Sequence, residues 1–280
     1  MYAAVNAWTF PDNMSTPEQL AAAADAGFEG LELVVSADGP LQPDTPIQQF
    51  VQLANRGDDL NLQLVGLASA LFWEFNYASP NAGDRQRAQD LTLQMLDRAA
   101  AARAGAVLLV PAVVGKAGDA APTVAYADAL YRTVEALSEL RFEAEARAVV
   151  LAIENVWNRF LLSPVEAAEL IDRINSPYVG FYLDTGNVLA CGYPQDWIAT
   201  LGGRIARVHA KDYDLSKPGA GGFCPLGEGS VDWPAVVAAL GAVGYEGPLT
   251  YEGDGNPKEV CRRLKNILAD RPAIAGEVQR

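Results

Sequence analysis

Three carboxylates and one imidazole each stand where a short apolar run of the sequence gives way to a loop. They are Glu154, Asp184, His209 and Glu252, which end the runs Leu-Ala-Ile-Glu, Phe-Tyr-Leu-Asp, Arg-Val-His and Leu-Thr-Tyr-Glu. If the runs are neighbouring strands, the four side chains point into one shared, water-poor mouth. Negative charges repel there, and each costs several kcal/mol to bury unless a cation offsets it. The donor types therefore predict a site for one divalent metal ion.

Each of the four residues also has an ordinary structural explanation when it is taken alone. Asp184 precedes Thr-Gly-Asn, a turn that an aspartate can cap without any metal. His209 is the only histidine in the chain, and a lone histidine is more often a hydrogen-bonded structural residue. Glu252 could be an ordinary loop acid. The metal interpretation is favoured by the conjunction, because four successive strands each deliver one such residue at the same end.

Apolar runs of strand length alternate with alanine-rich or amphipathic stretches at helical spacing along the whole chain. This alternation is typical of parallel strands that return through crossover helices. Eight such units in 280 residues predict an α/β fold, a single-domain (β/α)8 TIM barrel of residues 1–280. An open, doubly wound sheet is the structural alternative. The runs begin near Tyr2, Glu29, Leu62, Ala106, Val149, Tyr178, Ile205 and Pro248.

Capping residues and glycines mark the helix ends. Residues 15–18, 163–166 and 256–259 each combine a capping side chain, a proline in the first turn and a glutamate at the third position of the helix. Gly27 and Gly105 follow alanine-rich stretches. Both are predicted to take the left-handed conformation that ends a helix before the next strand.

Two connections are longer than a barrel requires, and both follow strand ends on the face where barrels keep their active sites. Residues 72–77 place four aromatic residues after the third strand, and residues 210–230 form a glycine-rich segment after the seventh. Such loops either close over a site or simply pack against the core. Both roles stay open for these two segments.

Composition restricts the classes of function. The formal net charge is -14, with 21 Lys and Arg against 35 Asp and Glu, and this argues against a nucleic-acid partner because phosphate backbones select basic surfaces. The N-terminus lacks the basic segment of a signal peptide, and no apolar stretch is long enough to span a membrane. The three cysteines have no Cys-x-x-Cys spacing and fit reduced thiols, so we expect a cytoplasmic protein.

The strand-end motifs together resemble those of the xylose-isomerase-like TIM barrels, a family that includes sugar and sugar-phosphate isomerases and epimerases. The resemblance covers essentially the whole chain. Its motifs are Ile-Glu-Asn, Leu-Asp-Thr-Gly-Asn, Val-His-Ala-Lys-Asp, Leu-Gly-Glu-Gly with Val-Asp-Trp, and Tyr-Glu-Gly, which begin at Ile153, Leu183, Val208, Leu226, Val231 and Tyr251. The resemblance implies that Glu154, Asp184, His209 and Glu252 hold one divalent ion, manganese first, with magnesium, cobalt or zinc as alternatives. It also implies that the two glutamates act as acid and base.

The chemistry of a ketose, a small carbohydrate substrate, agrees with this donor set. A carbon beside a carbonyl loses its proton only if the developing enediolate is stabilised, and a metal bound by the carbonyl and hydroxyl oxygens does this as a Lewis acid. Epimerisation then needs a base on one face and an acid on the other, the roles expected of Glu154 and Glu252. A metal-dependent dehydratase of a cyclic polyol ketone and a sugar-binding barrel without catalysis stay open as alternatives.

Four residues beside the predicted metal site are candidates for substrate contacts: Trp8, Trp73, Asn187 and Lys211. Trp8 follows the first strand, and Trp73 or Phe75 lies on the loop after the third. We expect these aromatic side chains to wall a sugar-sized cavity with apolar surface that limits the access of water. Packing in the core is the alternative role for all three.

The chain departs from the best-known ketose 3-epimerases at two positions. Asn187 stands where a histidine follows the metal aspartate by three residues, and Leu215 stands where an arginine is expected after the metal histidine. The sugar and the reaction therefore stay open. A phosphate on the substrate could meet Lys211, Arg159 or Lys217, so free and phosphorylated ketoses are equal alternatives. Assembly into a homo-oligomer is also left open.

Overall fold

The computed structural model describes residues 1–269, which contain ten β-strands. They are β1 (Tyr2–Asn6), β2 (Gly30–Val34), β3 (Gln63–Ala68), β4 (Ala106–Leu109), β5 (Val150–Glu154), β6 (Val179–Asp184), β7 (Ile205–Ala210), β8 (Asp212–Tyr213), β9 (Phe223–Cys224) and β10 (Pro248–Tyr251). Eight parallel strands close into a barrel in the order β1-β10-β7-β6-β5-β4-β3-β2. The short strands β8 and β9 pair with each other antiparallel. The closed sheet confirms the predicted barrel and excludes the open sheet.

Nine α-helices within residues 1–269 surround the barrel. They are α1 (Thr16–Ala26), α2 (Ile47–Asp59), α3 (Ala82–Ala102), α4 (Tyr126–Arg147), α5 (Pro164–Ile174), α6 (Thr185–Val188), α7 (Pro194–Leu201), α8 (Trp233–Ala242) and α9 (Pro257–Ala269). Over these residues no helix is both long and apolar enough to cross a membrane. The predicted domain end at residue 280 lies outside the described residues.

Three predicted helix starts are confirmed at Ser15, Ser163 and Asn256, which precede α1, α5 and α9. Ser15 forms a capping box with Glu18. The hydroxyl of Ser163 accepts a hydrogen bond from the backbone N–H of Glu166 at 3.2 Å. These bonds satisfy N–H groups that the first turn of a helix leaves without partners. They therefore fix where each helix begins after the preceding strand.

One of the two predicted helix-ending glycines is placed differently. Gly27, with φ 92°, takes the left-handed conformation directly after α1, as predicted. Helix α3, however, ends at Ala102, and the left-handed residue that follows it is Arg103, with φ 56°. Gly105 is left-handed, as predicted, but it does not end the helix. A non-glycine residue can close the helix at a cost of roughly 1–2 kcal/mol, and Gly105, with φ 70°, then turns the chain into β4.

The register of the strands brings side chains of four adjacent strands to one end of the barrel. Alternate residues of each strand face inward. Asp184 on β6 is paired with His209 on β7, and His209 is paired with Thr250 on β10. Glu154 on β5 is paired with Tyr182 on β6. The predicted ligand residues of β5, β6 and β7 therefore all lie at the C-terminal end of the barrel, which is where β10 leads into Glu252.

The two long connections have different structures. After β3, Phe72 and Tyr77 are buried in the core, whereas Trp73 is only partly buried. After β7, the buried carboxylate of Asp212 accepts hydrogen bonds from a backbone N–H of the loop at 2.8 Å and from the indole N–H of Trp233 at 3.0 Å. Asp212 thereby anchors the segment that carries β8 and β9.

Candidate metal and substrate site

A buried cluster of titratable side chains lies at the C-terminal end of the barrel. It consists of Glu154 at the end of β5, Asp184 at the end of β6, His209 near the end of β7 and Glu252 just after β10. One ligand atom from each residue lies within 4.8 Å of the other three. Asp184 and His209 are fully buried, and the side chain of Glu252 is 18% exposed. Carboxylate oxygens and an imidazole nitrogen at this separation suit a divalent ion.

Asp184 uses its two carboxylate oxygens differently. Its Oδ1 accepts a hydrogen bond from the backbone N–H of Asn187 at 2.7 Å and so caps the short helix α6. Its Oδ2 is buried without a hydrogen-bond partner in residues 1–269, and the ammonium of Lys211 lies 3.7 Å away. A buried polar atom without a hydrogen bond calls for an ion or a water molecule. The capping role and the metal role are therefore compatible, and the free oxygen fits a metal ion.

Asn155, the residue after Glu154, ties β5 to β6 at the cluster. Its side-chain Nδ2 donates to the backbone carbonyl of Asp184 at 3.0 Å, and its Oδ1 accepts from the backbone N–H of Asp184 at 2.9 Å. Nδ2 of Asn187 donates in turn to the Asn155 carbonyl at 3.0 Å. Asn187, which was predicted as a substrate contact, also lines the cavity. Its side-chain amide is therefore held in place by Asn155 at the edge of the cavity.

His209 faces the cluster with one ring nitrogen and the barrel interior with the other. Nδ1 lies 2.9 Å from Oε1 of Glu154 and 3.3 Å from Oε2 of Glu252. Nε2 lies 2.7 Å from Oε2 of Glu32, a fully buried residue of β2. Sequence reasoning missed Glu32. The signal that could have found it is a charged residue at the centre of the otherwise apolar strand Gly-Leu-Glu-Leu-Val.

The ammonium of Lys211 reaches the same cluster. Its Nζ lies 3.0 Å from Oε2 of Glu252 and 3.7 Å from Oδ2 of Asp184. It also stands over the ring of Phe223, 4.7 Å from the centroid. Lys211 therefore offsets part of the negative charge of the cluster. It also lines the cavity, and its role as a substrate contact stays a prediction.

Burial and mutual charge move the pKa values of the cluster in different directions. Burial raises the pKa of Glu154, although the neighbouring His209 opposes the shift. Burial also raises the pKa of Asp184 against the opposing charge of Lys211. For Glu252, the charges of Lys211 and His209 outweigh burial, and the pKa is lowered. Burial lowers the pKa of His209, but the surrounding carboxylates outweigh it and raise this pKa well above its ordinary value. The two glutamates thus differ in how readily they hold a proton.

A cavity of about 300 Å³ adjoins the cluster, and Glu154 and Glu252 form part of its wall. Four large aromatic residues supply much of the rest: Trp8, Trp73, Trp157 and Phe223. The rings of Trp157 and Phe223 stack with their centroids 5.1 Å apart. A cavity of this size with apolar walls and a few polar groups at one end is the usual form of a small-molecule site.

Of the two alternatives predicted on the loop after β3, it is Trp73 that lies at the cavity. Trp8 and Trp73 line the cavity. Phe75 is not among the residues that line it in the described part of the chain, and its ring instead lies under the guanidinium of Arg87, 5.2 Å from the centroid. Sequence reasoning missed Trp157 as a wall residue, although it follows Glu154 by three positions.

Lys217 and Arg159, the other two cations considered as partners of a substrate phosphate, do not line the cavity. The side chain of Lys217 is 60% exposed and pairs with Asp214 at 3.2 Å. Arg159 is exposed and borders a neighbouring depression that shares Trp157 with the cavity. Within residues 1–269, Lys211 is therefore the only lysine or arginine in the cavity wall.

Comparison with known proteins agrees with the fold. A family model described as a xylose isomerase-like TIM barrel matches residues 20–271. The Escherichia coli (strain K12) protein SgbU, provisionally assigned as an L-ribulose-5-phosphate 3-epimerase, is 26% identical over 247 residues. That alignment covers 86% of this chain and 84% of the relative.

Two solved structures share the fold. D-Psicose 3-epimerase from Clostridium cellulolyticum H10, solved with D-tagatose, has a TM-score of 0.76 and 18% identity, and the match covers 95% of this chain and 91% of that chain. D-Allulose 3-epimerase from Methylomonas sp. in complex with D-allulose has a TM-score of 0.76 and 18% identity, with 97% of each chain covered. At this identity the likeness concerns the fold alone. Because the family model spans most of the sequence, this chain belongs to the xylose isomerase-like TIM barrel family.

Proposed function

We propose that this protein is a divalent-metal-dependent isomerase or epimerase that moves a proton next to the carbonyl of a small ketose. The observation that carries the proposal is the position of Glu154 and Glu252. Both carboxylates lie within 3.3 Å of the same atom, Nδ1 of His209, and both line the sugar-sized cavity. Two carboxyl groups so placed can exchange protons with one substrate carbon.

Four residues would hold the ion: Glu154, Asp184, His209 and Glu252. The free Oδ2 of Asp184 supports this assignment, since a buried carboxylate oxygen without a hydrogen bond suits a cation. Three carboxylates and one imidazole suit a divalent ion, and the family resemblance puts manganese first, with magnesium, cobalt or zinc as alternatives. When bound, the ion supplies Lewis-acid polarisation of the substrate carbonyl.

The residues of the chain supply the proton transfers and the surroundings. One of Glu154 and Glu252 removes the proton from the substrate carbon, and the other delivers a proton to the opposite face. The indole rings of Trp8 and Trp73 keep water away from the reacting carbon. The ammonium of Lys211 stands where the cluster meets the cavity and can donate to a substrate oxygen.

The charge of the cavity wall favours an uncharged substrate. Lys211 is the one lysine or arginine of the wall within the described residues, and its ammonium is already paired with Glu252 at 3.0 Å. A phosphate would need a further cation or several N–H donors. We therefore expect a free ketose to react faster than its phosphate, although the provisional assignment of SgbU names a phosphorylated sugar.

The experiment that tests the proposal is incubation of the manganese-loaded protein with ketoses, ketose phosphates and cyclic polyol ketones in D2O. The reaction is quenched with a chelator and read by NMR and mass spectrometry. We expect deuterium exchange with a change of configuration or of carbonyl position. Loss of water from a cyclic polyol ketone would identify a dehydratase instead, and binding without exchange for every compound would contradict catalysis.

Truncation of Trp73 to alanine is expected to raise KM about tenfold, because the indole supplies apolar wall to the cavity. The affinity for manganese should not change. Steady-state kinetics and a metal titration measure the two effects. Phe75→Ala is the matched control, since this neighbouring ring packs against Arg87 instead. An equal rise in KM in both variants would contradict a specific role for Trp73.

Replacement of Lys211 by methionine is expected to tighten manganese binding by about tenfold or more and to raise KM. The ammonium pairs with Glu252 and lies near Asp184, so it competes with a cation for the same oxygens. Free Mn²⁺ can be followed by EPR during a titration. Lys217→Met, which removes an exposed ion pair outside the cavity, is the control. Weaker manganese binding in Lys211→Met would show that the ammonium does not compete with the ion.

A further inference from the structure

A carboxylate that the proposed reaction does not use lies inside the barrel next to His209. Glu32 on β2 is fully buried. A buried carboxylate costs several kcal/mol unless hydrogen bonds or an opposite charge offset it. Both of its oxygens are engaged. Oε1 accepts from the hydroxyl of Tyr182 at 2.9 Å, and Oε2 accepts from Nδ2 of Asn6 at 2.6 Å and faces Nε2 of His209 at 2.7 Å.

The neighbours of this carboxylate are themselves held in place. Oδ1 of Asn6 accepts from the backbone N–H of Trp8 at 2.7 Å, which orients the amide so that its Nδ2 points at the carboxylate. The ring of Tyr182 packs on the imidazole of His209 with a centroid distance of 4.2 Å. A Cβ at Gly66 would come within 2.9 Å of the carboxylate Oε1. The carboxylate therefore has a defined position behind the imidazole.

The position of the Glu32 carboxylate determines which ring nitrogen of His209 is available to an ion. A neutral imidazole carries a proton on one nitrogen and a lone pair on the other. Glu32 presents an acceptor to Nε2 at 2.7 Å, so an imidazole that offers its Nδ1 lone pair to an ion keeps its proton on Nε2. Nδ1 is the atom that lies among the carboxylates of the cluster, 2.9 Å from Glu154. The lone pair is thus directed at the place where an ion would bind.

We propose that Glu32 is a positioning residue of the metal site, whose carboxylate orients His209 and fixes the tautomer in which Nδ1 binds the ion. A carboxylate behind a metal-binding imidazole also makes the imidazole a stronger ligand. The inference rests on the metal site of the proposed function. A Glu32 that only stabilised the fold would leave the affinity for metal unchanged, so the two roles differ in a measurable quantity.

The first test is a titration of Glu32→Gln with Mn²⁺, followed by EPR. Glutamine keeps the shape of the side chain and removes its charge, and we expect the affinity to fall about 10- to 100-fold. Glu29→Gln is the matched control, because Glu29 is exposed directly before the same strand, and its affinity should equal that of the wild type. An unchanged affinity in folded Glu32→Gln would overturn the inference. A wild-type protein that binds no Mn²⁺ in the same titration would overturn the proposed metal site itself.

The second test needs no variant. His209 is the only histidine in the chain, so ¹⁵N labelling of histidine yields the spectrum of a single imidazole. In the protein loaded with diamagnetic zinc, we expect a proton on Nε2 and a coordination shift on Nδ1. A proton on Nδ1, or coordination through Nε2, would overturn the inference even if Glu32→Gln does not fold.

Discussion

Glutamine in place of Glu154 or of Glu252 is expected to lower kcat by about 10²- to 10⁴-fold in each variant while the fold is retained. The amide has nearly the shape of the carboxylate, and its oxygen can still coordinate weakly, but it cannot take up a proton from the substrate. Both side chains belong to the cluster and to the cavity wall. Steady-state kinetics of the manganese-loaded variants measure the loss, and circular dichroism checks the fold.

The two glutamine variants are expected to differ in isotope exchange. The variant that lacks the base should neither exchange the substrate proton with D2O nor form epimer. The variant that lacks the acid should still exchange the proton without forming epimer. Glu228→Gln is the matched control, because this carboxylate is half exposed and pairs with Arg263. Retained epimerisation in the Glu154 or the Glu252 variant would contradict the assignment of acid and base.

Saturation with manganese is expected to raise the thermal midpoint of the wild-type protein by roughly 5–10 °C when free Mn²⁺ is about 100 times its Kd. A bound ion would offset the repulsion among the three carboxylates of the cluster and would bind the oxygen of Asp184 that has no hydrogen bond within residues 1–269. Chelation should reverse the shift and abolish turnover. Differential scanning fluorimetry with and without a chelator measures the effect.

Asp184→Asn separates the metal role of this residue from its capping role. The amide oxygen can still accept the hydrogen bond from Asn187, whereas the NH2 group that replaces Oδ2 cannot bind a cation. We expect the variant to fold and to lose most of the manganese-dependent shift. Asp232→Asn is the control, because Asp232 caps α8 away from the cluster through a bond to Ala235. A full shift in Asp184→Asn would contradict the role of Asp184 as a ligand.

The barrel and the clustering of four residues could be predicted because both follow from local patterns. A parallel strand that ends in a carboxylate or an imidazole places it on the same rim as every other strand, whatever the details of packing. The helix starts at Ser15 and Ser163 were predictable for a similar reason, since capping needs only neighbouring residues. The end of α3 at Arg103 was not predictable, because residues other than glycine rarely adopt the left-handed conformation that Arg103 takes.

The contacts of Glu32 with His209 and Tyr182 could not be predicted, because they join strands on different sides of the barrel. Glu32 and His209 are 177 positions apart in the sequence, and Glu32 and Tyr182 are 150 apart. Such pairs are set by how the sheet closes, not by any local motif. The partners of Lys211 could not be predicted either, because the sequence does not state whether its ammonium turns toward the carboxylates or toward solvent. The sequence therefore predicts the residues at the strand ends, whereas contacts between residues far apart in the sequence are seen only in the structure.

The central claim, that one divalent ion binds at this rim, is tested most directly by crystals of the protein soaked in manganese chloride. Anomalous difference maps measured on both sides of the manganese absorption edge locate the ion without reference to any side chain. We predict one site per chain, about 2.0 to 2.4 Å from oxygens of Glu154, Asp184 and Glu252 and from Nδ1 of His209. A peak elsewhere, or no peak at this cluster in saturated crystals, would contradict the account.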